Sequence, residues 1–262
     1  MIDSDLNYYE WSDSGVSVVG HLCEHDSLAL GEKIFQIDEI GMPDYTCSPK
    51  SAESFRRFLL NEGFTGATAR VKIGSQEAIT FLQSCEFIFI ETIIEPFVQT
   101  KTFDGEYDWS TRIRPAEIED IQHLKEMAFE AFSLERYHSD NRYDSRLASK
   151  RYSDWIEKAV LERGEQVVDV VIQEGLQVGF FISKFNENGE ECMWLLNCIA
   201  PSHQGKGIGK RAWTAMIYKL KQEGVKTIKT SVTATNTRVL GLYSTLQFRY
   251  LAPLATFHWK EV

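Results

Sequence analysis

The fold is decided by the stretch Leu195-Leu-Asn-Cys-Ile-Ala-Pro-Ser-His-Gln-Gly-Lys-Gly-Ile-Gly-Lys-Arg211. An apolar strand ends at Pro201, a glycine-rich turn follows, and apolar residues then recur every four positions, as on one face of a helix. A helix N-terminus has free N–H groups and a positive dipole, and glycines let the main chain approach an anion closely. The stretch therefore predicts a pyrophosphate-binding turn, or an ordinary strand-to-helix turn, which glycine spacing alone does not distinguish.

The turn does not match the common nucleotide-binding loops. A Walker loop requires Gly-Lys-Ser/Thr after its first glycine, and a dinucleotide fingerprint lies early in its domain with an acidic residue after the next strand. Lys206, Lys210 and Arg211 give this turn a local positive charge in a chain whose net charge is -10. Any anionic ligand is thus expected to bind locally rather than through the field of the whole protein.

The segment Gln204-Gly-Lys-Gly-Ile-Gly209 resembles the Q/R-x-x-G-x-G/A acyl-CoA signature of the GNAT superfamily, and the order of elements is similar over Thr111 to Trp259. The resemblance implies an α/β GNAT fold, a mixed central sheet flanked by helices. It implies acyl-CoA as co-substrate, acetyl-CoA or hydroxybutyryl-CoA, and no metal. The implied cofactor-binding residues are Asn197, Cys198, Ile199, Gln204, Gly205, Lys206, Gly207, Ile208, Gly209 and Lys210.

Two further candidates lie downstream in Asn236-Thr-Arg-Val-Leu-Gly-Leu-Tyr-Ser-Thr-Leu-Gln-Phe248, which is similar to the GNAT segment N-x-x-A-x-x-L-Y-x-x-x-G-F. Seven residues are about two helical turns, so Asn236 and Tyr243 share one face, with the asparagine capping or beginning the helix. A tyrosine hydroxyl beside sulfur can protonate a thiolate leaving group. The alternative is a packed core tyrosine. Gln247 replaces the usual glycine, so the helix is expected to end differently there.

The sequence does not identify a general base. Many GNAT proteins have a carboxylate on the strand before the glycine turn, and Met193-Trp-Leu-Leu-Asn197 contains none. Ordered water remains possible as the proton acceptor, as do Glu190, Glu191, Asn197 and His203.

The chain is interpreted as two domains, residues 1–105 and 106–262. The boundary lies in the polar stretch Thr102 to Ser110, which shows neither the apolar period of a helix nor that of a strand. The first half predicts a helix that begins after Ser48-Pro49, followed by strand, helix and strand. It contains no comparable glycine turn before residue 110. By resemblance it is an N-terminal truncated GNAT-like module without a CoA site.

An aromatic and charged cluster is predicted between the first two helices of the second half, at Phe132 to Asp140 and Tyr152 to Glu157. Its order resembles the sugar-nucleotide GNAT group typified by dTDP-fucosamine acetyltransferase. That resemblance implies N-acylation of a dTDP-linked 3- or 4-amino-dideoxyhexose for surface polysaccharide of the O-antigen type, often by a homodimer. The implied substrate-binding residues are Arg136, Tyr137, His138 and Trp155. On spacing alone, a capped helix-helix loop explains the cluster equally well.

Composition narrows the class of protein further. Hydrophobic residues are 43% and charged residues 25%, as in ordinary globular proteins, and the acidic balance argues against nucleic acid or anionic lipid as a partner. The N-terminus resembles no signal peptide and no long apolar run occurs, so a cytoplasmic protein is expected. The five cysteines show no C-x-x-C. His21-Leu-Cys-Glu-His25 matches H-x-x-E-H but follows a predicted strand, which favours surface histidines over zinc ligands.

Two other functions remain open from the sequence. One is a GNAT enzyme acting on a protein or on a small amine. The other is a non-catalytic CoA-binding module. In that case Gln247 and the missing carboxylate indicate that a catalytic activity has been lost.

Overall fold

The structure is a computed structural model that describes residues 7–42 and 48–261. Its contacts separate two compact units. Unit 1 comprises Met1–Ile93, Glu135–Ala148 and Ala252–Val262, and unit 2 comprises Ile94–Leu134 and Ser149–Leu251. The sequence predicts a single domain boundary, after residue 105. In the structure the chain passes between the two units more than once.

Strands and helices alternate along the chain. The strands are β1 (Tyr8–Asp13), β2 (Val16–Leu22), β3 (Ile34–Gly41), β4 (Gly66–Lys72), β5 (Ile88–Ile94), β6 (Pro96–Gln99), β7 (Thr111–Pro115), β8 (Gln166–Gln173), β9 (Leu176–Phe185), β10 (Glu191–Ile199), β11 (Thr227–Thr230), β12 (Val232–Thr233), β13 (Arg249–Tyr250) and β14 (Leu254–Lys260). The helices are α1 (Glu24–Leu30), α2 (Pro49–Asn61), α3 (Gln76–Ser84), α4 (Ile121–Ala131), α5 (Arg136–Ser139), α6 (Ser145–Glu162), α7 (Ile208–Gln222) and α8 (Thr237–Thr245). Among these described elements, no helix has both the length and the apolar composition needed to cross a bilayer.

Unit 1 contains a mixed sheet with strand order β1-β2-β3-β4-β14-β5. β3 and β4 run parallel, and the other neighbouring strands run antiparallel. Phe35, Phe55 and Phe81 are fully buried where α2 and α3 pack on one face of this sheet. α2 begins as the sequence predicts, because the Ser48 hydroxyl accepts a hydrogen bond from the Ser51 N–H at 3.1 Å.

Unit 2 contains a second mixed sheet with strand order β13-β6-β11-β10-β9-β8-β7. β10 and β11 are parallel, and the other pairs are antiparallel. Successive residues of a strand point to opposite faces. Phe181 therefore packs with Trp213 of α7, while Phe180 packs with α4 and α6 on the other face. The two mixed sheets flanked by helices confirm the predicted α/β class.

The last strand belongs to unit 1. The family resemblance runs from Thr111 to Trp259, but β14 pairs with both β4 and β5. Its alternation buries Ala255, Phe257 and Trp259 in the core of unit 1. A period of two identifies a strand, but it carries no information on which sheet the strand joins.

The polar stretch 102–110, which the sequence favours as a linker, packs on unit 2. Phe103 is buried in the core that contains α7, and Gln247 donates a hydrogen bond to the Asp104 carboxylate at 2.6 Å. The Tyr107 hydroxyl donates to the carbonyl of Thr111 at 3.1 Å. One apolar anchor and a few side-chain hydrogen bonds thus fix a segment whose average composition is typical of a linker.

Candidate functional site

The glycine turn lies between the end of β10 and the start of α7. A 3₁₀ turn spans Pro201–His203, and Gly205 and Gly207 then adopt φ angles of 79° and 74°. These angles lie in the left-handed region, which costs a residue with a Cβ atom about 1–2 kcal/mol. The two glycines therefore allow the chain to reverse, and α7 begins at Ile208, whose side chain is buried.

The main-chain N–H groups of this turn are available to a ligand. Over residues 7–42 and 48–261, no hydrogen bond uses an N–H group of residues 205–210, and no side chain caps α7. The first intrahelical bond runs from the Arg211 N–H to the Gly207 carbonyl at 3.5 Å. Because a helix N-terminus with unused donors favours an anion, the turn has the properties of a pyrophosphate site.

Basic side chains surround these donors. Lys210 is exposed, and Lys206 donates to the carbonyl of Ser202 at 3.1 Å. Arg211 donates to the carbonyl of Lys206 at 3.4 Å, and its Nε lies 3.6 Å from a carboxylate oxygen of Asp108. The turn is therefore locally cationic although the chain carries a net charge of -10.

Gln204 supports the turn through both ends of its amide. Its Nε2 donates to the carbonyl of Ile199 at 2.8 Å, and its Oε1 accepts from Arg238 at 2.8 Å. The side chain thus connects the end of β10 to the first turn of α8. Sequence reasoning missed Arg238, whose signal is its position two residues after Asn236 in the same segment. On the other side of the turn, a Cβ atom at Gly209 would lie 3.5 Å from Leu242 of α8.

The end of β10 is open on one side. β10 pairs with β11 only from Glu191 to Trp194, whereas its pairing with β9 continues to Ile199. A bulge between Trp194 and Leu196 shifts the register. Within the part of the chain that the structure describes, no strand pairs with residues 197–199 on the β11 side. An extended ligand can therefore add along that edge by main-chain hydrogen bonds.

Cys198 lies in this open segment, but its thiol is not suited to act as a nucleophile. The side chain is buried, and burial raises its pKa well above the usual range. The thiolate is the nucleophilic form of cysteine, so a thiol with a raised pKa is inert. Cys198 is expected to contribute packing and its main-chain groups.

α8 brings the second candidate group to β10. The Asn236 side chain accepts from the Val239 N–H at 3.2 Å, so it caps the helix as predicted. Tyr243 is buried and its hydroxyl donates to Asn197 Oδ1 at 3.5 Å. Burial raises the pKa of Tyr243, against smaller opposing effects from hydrogen bonds that include the one to Asn197. The hydroxyl is therefore protonated at neutral pH and can donate a proton or a hydrogen bond.

Gln247 adopts the left-handed backbone conformation that favours glycine. Its φ is 62°, and the Phe248 N–H donates to the carbonyl of Tyr243 at 3.0 Å, which closes the end of α8. The helix thus ends in a left-handed residue, a conformation that glycine adopts without strain and glutamine does not.

We expect Gln247→Gly to be more stable than Gln247→Ala by about 1 kcal/mol, the reverse of the usual order within a helix. Both variants lose the hydrogen bond to Asp104, so their comparison isolates the strain of the left-handed backbone. Urea unfolding of the two variants measures the difference. Equal stabilities, or a more stable alanine variant, would contradict the strain at Gln247.

The four protein groups considered as a general base are already engaged with other groups. Glu190 pairs with Lys226, Glu191 pairs with Lys229 at 2.7 Å, and the His203 ring contacts the Ser202 hydroxyl at 3.0 Å. Asn197 contacts Tyr243. The two glutamates flank the start of β10, about 20 Å of strand from its open end. The base thus stays unassigned.

The predicted acceptor residues fall in both units. Arg136 and Tyr137, on α5 in unit 1, each donate to one carboxylate oxygen of Asp26, at 2.5 and 2.7 Å. On the same helix, His138 contacts Glu135 at 2.7 Å. In unit 2, the indole N–H of Trp155 donates to Gln166 at 2.7 Å. These contacts hold the four side chains in place, and their role toward an acceptor stays a prediction.

The H-x-x-E-H match does not form one helical face. His21 lies on β2 and its ring bonds Asp38 at 2.6 Å, whereas Glu24 and His25 lie on α1. Within residues 7–42 and 48–261, no group of three or more His, Cys, Asp or Glu side chains is placed to hold a metal ion.

Sequence comparison matches residues 121–248 to the Acetyltransferase (GNAT) family. This range contains the glycine turn, the open end of β10 and α8. No curated protein matches the chain.

Solved structures share the fold over nearly the whole chain. The tandem GNAT protein from the clavulanic acid biosynthesis pathway is 12% identical, with a TM-score of 0.60 over 99% of this chain and 85% of its own. A GCN5-related N-acetyltransferase from Kribbella flavida is 14% identical, with a TM-score of 0.63 over 96% of this chain and 89% of its own. A functionally unknown conserved protein from Staphylococcus epidermidis is 12% identical, with a TM-score of 0.63 over 99% of this chain and 97% of its own. At such identities the likeness establishes the fold alone.

Proposed function

We propose that the chain, an acyl-CoA-dependent acyltransferase whose residues 121–248 match the Acetyltransferase (GNAT) family, uses unit 2 to transfer the acyl group to the amine of a nucleotide-linked amino sugar. The observation that carries the CoA part of the proposal is the row of unused N–H groups in residues 205–210, flanked by basic side chains. The acceptor part rests on the sequence resemblance to the sugar-nucleotide group.

The residues of unit 2 have separate roles in binding the donor. The N–H groups of the glycine turn and Lys210 bind the pyrophosphate. Gln204 holds the turn against β10 and α8. The open main chain of Asn197, Cys198 and Ile199 pairs with the pantetheine arm and aligns the thioester.

The bound acyl-CoA supplies an activated thioester whose carbonyl carbon accepts the amine. The C–N bond forms as the C–S bond breaks, the amine gives its proton to water, and the sulfur leaves as a thiolate. Tyr243 donates its phenolic proton to that sulfur and regains a proton from solvent, so the products are the amide and free CoA thiol. Asn236 is a positioning residue, because its cap fixes the start of the helix that carries Tyr243.

The match of residues 121–248 to the Acetyltransferase (GNAT) family favours an enzyme over a non-catalytic binding module. The acyl group is proposed to be acetyl or hydroxybutyryl, and the acceptor a dTDP-linked 3- or 4-amino-dideoxyhexose of surface polysaccharide synthesis, bound with the help of Arg136, Tyr137, His138 and Trp155. A homodimer is part of the same proposal.

The test is the release of CoA from acetyl-CoA and hydroxybutyryl-CoA with four kinds of acceptor: dTDP-3-amino- and dTDP-4-amino-dideoxyhexoses, the free amino sugars, and a peptide amine. We expect turnover to be at least about tenfold higher with one nucleotide sugar than with its free sugar, because remote binding energy orients the amine. Tyr243→Phe serves as the control that release is enzymatic. Equal or faster release with the free sugar or the peptide would contradict the nucleotide-sugar acceptor. The assignment as an acyltransferase would still stand.

A further inference from the structure

An exposed tryptophan lies on the segment that precedes β7 in unit 2. Trp109 is 83% exposed, although its neighbours in the chain are held firmly. Tyr107 packs on Tyr218 of α7 with ring centroids 5.5 Å apart, and it contacts the Trp109 ring at 4.7 Å with an angle of 74° between the planes. In that arrangement Tyr107 covers at most one face of the indole. At least one face is left open to a planar group.

The residue beside Trp109 is linked to the glycine turn through Arg211 of α7. Asp108 accepts from the Ser110 N–H at 2.9 Å, which closes a tight turn around Trp109, and its other carboxylate oxygen lies 3.6 Å from Arg211 Nε. Arg211 also donates to the carbonyl of Lys206 at 3.4 Å, inside the glycine turn. Two contacts therefore connect the backbone that carries the indole to the proposed pyrophosphate site.

The chemistry of the donor places a planar group beyond the pyrophosphate. In CoA the pyrophosphate joins the pantetheine arm to an adenosine, so an adenine must lie near any turn that binds it. Tryptophan faces stack on nucleic acid bases, and such stacking contributes about 1–3 kcal/mol per base.

We propose that the open face of Trp109 stacks on the adenine of bound CoA and so supplies a purine subsite next to the glycine turn. The inference rests on the proposed function, because it requires CoA at the turn. Tyr107 and Asp108 are positioning residues for this subsite. They fix the ring and the chain around it.

The test compares Trp109→Ala and Trp109→Phe with the wild type for three ligands: CoA, the adenosine 3′,5′-bisphosphate fragment, and acetyl-pantetheine, which lacks the adenosine. We expect Trp109→Ala to raise the Kd for CoA and for the bisphosphate by about five- to a hundredfold, as loss of one stacked base implies. Trp109→Phe should stay within about threefold of the wild type, because a phenyl ring also stacks. Turnover with acetyl-pantetheine should be the same in all three proteins.

Leu161→Ala is the matched control, since it removes another exposed apolar side chain, 55% exposed, from the same unit. It should leave the Kd for CoA unchanged. If the wild type binds CoA and Trp109→Ala binds it with the same Kd, the adenine subsite is overturned and the CoA site stands. Wild type that does not bind CoA would overturn the proposed function and the subsite with it.

Discussion

Tyr243→Phe is expected to lower kcat by about ten- to a thousandfold while the Kd for CoA changes little. The substitution keeps the buried ring, which packs on Phe248 at 4.7 Å, and removes only the hydroxyl. General acids typically contribute about a hundred- to ten-thousandfold to proton-transfer steps, so loss of the acid should appear in kcat rather than in donor binding. The hydrogen bond that the hydroxyl donates to Asn197 is long, at 3.5 Å, so we expect its loss to have a small effect on stability.

The control is Tyr250→Phe, which removes a tyrosine hydroxyl from the same unit. Tyr250 is exposed, and its hydroxyl bonds Ser244 at 2.6 Å and the carbonyl of Leu240 at 3.1 Å. Its kcat should match that of the wild type. Steady-state kinetics at saturating acetyl-CoA measures both variants. Undiminished turnover in Tyr243→Phe would mean that the thiolate receives its proton from another source.

Gly207→Val is expected to weaken CoA binding by about a hundredfold or more. Valine at a φ of 74° is strained, and its Cβ atom would lie 3.5 Å from the Arg211 guanidinium, so we expect its branched side chain to hinder an anion that approaches the turn. Hydrogen bonds to a charged group contribute about 1.5–3 kcal/mol each, so loss of two of them corresponds to at least a hundredfold in Kd. The rise in melting temperature on adding CoA measures the effect, because a ligand of the native state stabilises it.

Backbone strain alone also destabilises a protein, and a matched variant separates the two effects. Gly189 has a φ of 70° in the turn between β9 and β10, and a Cβ atom there meets no neighbour within 4 Å. Gly189→Val should lower the melting temperature by a similar amount but keep the full shift with CoA. If folded Gly207→Val keeps the full rise in melting temperature on adding CoA, the pyrophosphate does not bind at this turn.

Local features of the fold were predictable from the sequence. The strand before Pro201, the helix after Gly207 and the cap at Asn236 depend on neighbours in the chain, and each occurs as the pattern predicts. The same holds for Ser48 at the start of α2. Periodicity, glycines and capping residues carry this information within a short window.

Features set by distant residues were not predictable. Arg136 meets Asp26 across 110 positions in sequence, and β14 pairs with strands of unit 1 that lie far earlier in the chain. Phe103 is an isolated apolar residue in a polar stretch, so its burial leaves no periodic signal. The link from Gln204 to Arg238 depends on how β10 and α8 pack, which neither segment encodes alone.

The central claim is that one CoA site lies at the glycine turn of unit 2, and calorimetric titration of CoA tests it most directly. The first half of the chain contains no comparable glycine turn, so we predict one equivalent of CoA bound per chain and almost none by Gly207→Val. Gly189→Val should bind one equivalent with the affinity of the wild type. Absence of binding to the wild type, a second equivalent per chain, or unchanged binding by Gly207→Val would contradict the account.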